Sequence, residues 1–157
     1  MIQWYLEPIE PHIEKIVELF MQNADHRLAK NYLDEKERLF QYTKFARMGY
    51  HNGKMIYYSA GIERPHYNGS IRIMSRHTRD RYYNFGSKAD DLKRGLETLE
   101  LSVDYAKSLG YTNIWVSREF SDKLFVWFSK HSKYNWTLTS ELMQNNEYQH
   151  VIRLVNE

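Results

Sequence analysis

Arg76, Arg79 and Arg81 fall within six residues, with His77 among them. Guanidinium groups bind phosphate through paired, charge-assisted hydrogen bonds, and an unperturbed imidazole exchanges its proton near neutral pH. The same stretch runs on through Asn84, Phe85, Gly86 and Ser87. Glycine lets backbone approach an anion closely. A helix capped by Ser87 would add free N–H groups and the positive end of its dipole. The spacing therefore predicts an anion-binding loop, with His77 as a candidate base at its rim. Glu119 and Glu63, each in or next to a predicted strand, are further candidate bases. Two other readings use the same residues. The arginines could be a solvated strand end paired with Asp80 or other surface acids. Arg72, Arg76, Arg79 and Arg81 interleaved with Tyr82, Tyr83 and Phe85 also have the composition of a single-strand nucleic-acid surface, but a net charge of only +2 and the presence of Asp80 argue against it.

Other chemistries find little support. The chain has no cysteine, which removes thiolate nucleophiles, thiolate metal sites and disulfides and suits a reducing compartment such as the cytoplasm. The seven histidines show no helical metal-binding spacing, and no serine lies in a nucleophile-elbow motif. Neither a signal peptide nor a membrane span is expected.

The loop must be held by a strand before it and a helix after it. Residues 70–77 read as that strand. Residues 87–109 read as the helix, because Leu92, Leu96, Leu99, Val103 and Ala106 keep a 3.6-residue repeat and Gly110 stops it. Gly95 inside the helix suggests close packing. A buried strand follows at 112–118, giving a crossover unit whose ligand edge is the C-terminal end of the first strand. Upstream are a strand at 2–8, a helix starting at Glu10-Pro11, and a second helix at 31–42. Asp34 and Glu37 form a capping box there, and Leu33, Leu39 and Phe40 point inward. Strands at 45–50 and 54–64 then build an antiparallel meander with 70–77, turned by Asn52-Gly53 and Asn68-Gly69. A helix at 121–131 and a hairpin at 136–143 and 148–155 complete one domain.

This order, β-α-α-β-β-β-α-β-α-β-β, together with the stretch Leu-Gly-Tyr-Thr-Asn-Ile-Trp-Val-Ser-Arg118, resembles the GNAT superfamily of acyl-CoA-dependent N-acyltransferases, small phage-type members above all. The resemblance implies a mixed, mainly antiparallel seven-stranded sheet with four helices. It implies acetyl-CoA as co-substrate, lying between the fourth and fifth strands where they part. The cofactor contacts would come from Ile73, Met74, Ser75 and Arg76 on the fourth strand and from Arg79, Arg81, Asn84, Gly86 and Ser87 in the loop. Asn84 stands where the family's loop has its first glycine. Phe128 stands where many members carry the tyrosine that protonates the leaving thiolate, with Tyr134 nearby but out of register. His77 and Glu119 are then the candidate catalytic side chains. The implied acceptor is an amine, small-molecule or peptide, bordered by residues 23–34. A non-catalytic member with a remodelled cleft is the alternative. A homodimer is compatible with an exposed final hairpin.

Overall fold

The computed structural model describes residues 2–67, 69–79, 88–117, 122–142 and 148–155. Seven strands form one sheet: β1 Gln3–Leu6, β2 Thr43–His51, β3 Lys54–Ile62, β4 Ile71–His77, β5 Ile114–Ser117, β6 Trp136–Leu142 and β7 Tyr148–Leu154. The strand order is β1-β2-β3-β4-β5-β7-β6. The β4–β5 pair is parallel and every other neighbouring pair is antiparallel. The helices are α1 Ile13–Gln22, α2 His26–Asp34, α3 Lys36–Tyr42, α4 Lys88–Ser108 and α5 Asp122–His131. Among the described residues, no helix is long and apolar enough to cross a membrane.

Alternating side chains divide the core by face. Ala46, Met48, Tyr58, Ala60, Met74 and Trp115 pack with Ile16, Leu19 and Phe20 of α1 and Ala29 and Tyr32 of α2. Phe45, Ile71, Ile73, Ile114, Val116 and Ile152 pack with Leu96, Leu99 and Val103 of α4 and Phe128 of α5. The period-two pattern of the strands thus sends successive residues to opposite helical layers. The meander forms as expected, and Asn52 and Gly53 take φ of 50° and 77° in its first turn.

Residues 31–42 depart from expectation. Two helices, α2 and α3, stand where one was predicted, so the described residues form five α-helices rather than four. Asp34 does not cap α3. It ends α2, where its carboxylate pairs with Lys30 one turn back, and no side-chain cap bonds the start of α3. Starting α2 at His26 puts Ala29 and Tyr32 inward and leaves Leu33 54% exposed, although Leu33 was expected to be a core residue.

Tyr32 and Tyr58 show how this core handles buried hydroxyls. Their oxygens lie 2.9 Å apart, and Tyr32 also donates to the Met74 sulfur at 3.3 Å. Burial pushes both phenols above their usual range, Tyr58 the further, since the neighbouring Tyr32 adds to the effect. Tyr32 keeps the Met74 sulfur if the Tyr58 hydroxyl is removed, whereas Tyr58 loses its hydroxyl partner if that of Tyr32 is removed. Tyr32→Phe is therefore expected to cost about 1–3 kcal/mol. Adding Tyr58→Phe should recover most of that loss, as read from urea unfolding midpoints of the two singles and the double.

Candidate active site between parted strands

Among the described residues, β4 and β5 share two residue pairs, Ile71 with Ile114 and Arg72 with Trp115. Beyond them β4 stays paired to β3 as far as His77, while β5 follows β7 through Val116 with Ile152 and Ser117 with Val151. The two strands are thus drawn to different neighbours, and a gap opens toward their C-terminal ends.

The backbone of β4 faces this gap in a definite phase. Thr78 donates to the Ile56 carbonyl at 2.8 Å on the β3 side, and Ile71 donates to the Asn113 carbonyl at 2.9 Å on the other. Bonded positions alternate along an antiparallel ladder. Residues 72, 74, 76 and 78 therefore bond to β3, and residues 71, 73, 75 and 77 turn their N–H and C=O groups toward the β5 side. The Ser75 N–H points into the gap. The Ser75 carbonyl accepts from the Arg76 guanidinium at 2.9 Å.

Side chains on β4 split between the two faces. Ile73 is buried in the α4 layer and Met74 in the α1–α2 layer. Ser75 pairs with Ser59, whose hydroxyl meets Ser102 of α4 at 2.6 Å, so Ser75 belongs to the α4 side. His77 lies on the same side, its ring 6.3 Å from that of Tyr57 and beside Gly95 of α4. Arg76 turns to the other face, 3.7 Å from the Asp25 carboxylate. Arg79 lies just past the strand end. Arg81, Asn84, Gly86, Ser87 and Glu119 lie outside the described residues.

Asn23 opens the 23–34 segment that the sequence places beside the acceptor, but no individual role was expected of it. It is 4% exposed at the end of α1. Its side-chain amide donates to the His77 carbonyl at 2.8 Å and accepts from the Arg79 N–H at 2.9 Å, and the Arg79 guanidinium reaches the Asn23 carbonyl at 3.5 Å. Asn23 thus stands in for a neighbouring strand where β4 ends and holds the backbone of His77 and Arg79. A Schellman turn positions it: Asp25 N–H bonds to Phe20 O and Ala24 N–H to Met21 O, with Ala24 at φ 59°. The only signal in the sequence was a short polar residue closing an apolar helical run.

Two other candidates are engaged elsewhere. Glu63 follows β3 at the end of the sheet opposite the gap, where it accepts from Tyr111 at 2.6 Å. Burial and that carboxylate push the Tyr111 phenol up to about 12. Tyr134 donates to Asp104 on α4, and Phe128 packs on Trp136 at 5.2 Å.

The sheet with its gap can be set against solved structures. Over 98% of both chains it is similar to a candidate acetyltransferase of the GNAT family from Desulfovibrio desulfuricans, with a TM-score of 0.64 and 10% identity. The chain has the GNAT fold. An acyl-CoA N-acyltransferase from Pseudomonas aeruginosa matches 99% of this chain and 100% of its own, with a TM-score of 0.63 and 12% identity. The candidate acetyltransferase yncA from Salmonella typhimurium, solved with its cofactor acetyl-CoA, matches over 98% of this chain and 91% of its own, with a TM-score of 0.56 and 10% identity. No family profile and no curated protein matches the sequence. The GNAT fold is thus visible here in the backbone while sequence identity to these structures is low.

Proposed function

We propose that this protein is an acyl-CoA-dependent N-acetyltransferase acting on an amine acceptor. The observation that carries this reading is the two-pair β4–β5 ladder, which leaves the Ser75 amide aimed into a gap. An extended pantetheine arm can hydrogen-bond along an unpaired strand edge, as a peptide does in strand addition. An N–H fixed beside the thioester oxygen would stabilise the negative charge that develops there. The amine nitrogen attacks the thioester carbon, the C–S bond breaks, the nitrogen loses a proton and the thiolate gains one.

In this reading Arg79, Arg81, Asn84, Gly86 and Ser87 hold the diphosphate, and Asn23 fixes the origin of their loop. Arg76 and Asp25 border the acceptor side between α1 and α2, and His77 and Glu119 are the candidate proton carriers. The absence of cysteine suits work in the cytoplasm.

Thermal unfolding tests the reading. At about 100 times its dissociation constant, acetyl-CoA should stabilise by about 2.7 kcal/mol, a rise of roughly 5–10 °C for a chain of this size. Arg79→Ala with Arg81→Ala should shrink the rise. Asn23→Ala should shrink it too, with a loss of about 1–3 kcal/mol in intrinsic stability from two orphaned backbone groups. Thiol release with a panel of amines then separates turnover from binding alone. A rise without turnover would favour the non-catalytic reading, which the packing of Phe128 on Trp136 supports because a phenylalanine has no proton to give. No rise with acetyl-CoA would sink both the cofactor assignment and the activity.

A further inference from the structure

Far from the gap, no helix among the described residues covers the β1–β2 edge of the sheet on its α4 side. α4 packs over β3 and β4. A groove of about 480 Å³ is left between its outer flank and the edge strands. One wall is Trp4, Leu6 and Arg47, and the other is Leu101, Asp104 and Tyr105, with Phe45 in the lining. Trp4, Leu6, Leu101 and Tyr105 are 41%, 55%, 44% and 36% exposed.

We infer that this groove is the interface of a two-fold homodimer, in which the β1–β2 wall of each copy packs on the α4 wall of the other. Three observations favour a second copy over a foreign ligand. The first is size. With about 150–250 Å² for each large side chain, the exposed fractions sum to roughly 350 Å² of apolar surface. That is close to half of the ~800 Å² each partner gives to a standard interface, as expected for an apolar centre with a polar rim.

The second is charge. Each wall carries one charged group: Arg47 sits over the Trp4 ring at 4.7 Å, and Asp104 lies opposite. In an isologous contact residue i meets j and j meets i, so Arg47 of each copy faces Asp104 of the other. Asp104 already pairs with Lys133 at 2.7 Å and accepts from Tyr134, so Arg47 of the other copy would join an existing network. Burial works against its charge, but these hydrogen bonds outweigh it and hold the carboxyl below its ordinary range.

The third is position. The groove lies along the C-terminal half of α4 and the strand edge opposite β5, so closing it leaves both gaps open. An edge strand of only four residues, all exposed, is also protected when its flank is covered.

Sedimentation velocity across micromolar to several hundred micromolar protein tests the inference. The wild type should run as a dimer. Leu6→Glu and Leu101→Glu, on opposite walls and both at exposed positions, should each give a monomer with an unchanged circular dichroism spectrum. Having two such variants keeps the test sound if one misfolds. Arg47→Glu should weaken the dimer at least tenfold, and the effect should diminish as salt rises. A wild type that stays monomeric throughout overturns the inference. So does a dimer that survives both glutamate substitutions, which would point to the β6 edge. A monomer stabilised by a small apolar carboxylate would also overturn it and assign the groove to a ligand.

Discussion

Trp115→Ala should lower stability by about 3–5 kcal/mol, the range for emptying an aromatic site in a core. Trp115 is 1% exposed and sits on the last rung of the β4–β5 ladder, paired with Arg72 on one side and Arg153 on the other. Its ring meets Tyr67 edge-on at 5.0 Å, and its indole N–H donates to the Ser70 hydroxyl at 2.8 Å. That hydroxyl in turn donates to the Tyr67 carbonyl at 2.5 Å. One side chain thus fills the core under the fork and anchors the turn that leads into β4. Trp115→Phe keeps most of the volume and loses the indole bond, so it should cost less than half as much. Chemical denaturation of the two variants checks the ordering, and equal costs would show that packing volume is not the controlling factor.

The second large effect concerns two glycines, with opposite signs. Gly61 pairs with Phe45 on β2 and Ile73 on β4. A methyl group there would lie 2.3 and 2.7 Å from the Phe45 ring and 2.8 Å from the Ile71 side chain. Gly61→Ala should therefore cost about 2–3 kcal/mol, toward the upper end for overpacking. Phe45→Leu in the same chain should return part of the loss. Gly95 has no such constraint, because its added methyl would lie 3.5 Å from the His77 ring, in ordinary contact. Helix propensity then decides, and Gly95→Ala should raise stability by about 0.5–1 kcal/mol. A destabilised Gly95→Ala would mean that His77 and α4 require a closer approach than these distances show.

Gly95 also illustrates what the sequence conveys and what it conceals. A glycine in mid-helix suggested close packing, yet the tight approach occurs at Gly61, in a strand with no local sign of it. Helix ends show the same contrast. α4 ends in a Schellman turn, with Tyr111 N–H on Ala106 O and Gly110 at φ 96°, and Gly110 announced it. α1 ends in the same turn with Ala24 in the left-handed position, and no glycine marks it. The break between α2 and α3 at Glu35 likewise lacks glycine or proline, and local capping rules pointed to Asp34 instead.

The Asn52-Gly53 hairpin and the buried faces were legible because turn chemistry and periodicity are local. The insertion of β7 between β5 and β6 was not, since sheet order depends on pairings distant in sequence. That insertion draws β5 away from β4. The candidate site was accordingly legible in its β4 residues, while Asn23 belongs to it only through tertiary structure.

The two-rung join has a mechanical meaning. It divides the sheet into a four-stranded raft, β1 to β4, and a three-stranded raft of β5, β7 and β6. Among the described residues, Ile73, Val116, Leu96 and Phe128 pack across the seam on one face, and Met74 of β4 shares the opposite layer with Trp115 of β5. Packing contacts of this kind have no fixed register, unlike a hydrogen-bonded ladder. The aperture is therefore set by side-chain volume in the two layers rather than by further rungs of the ladder.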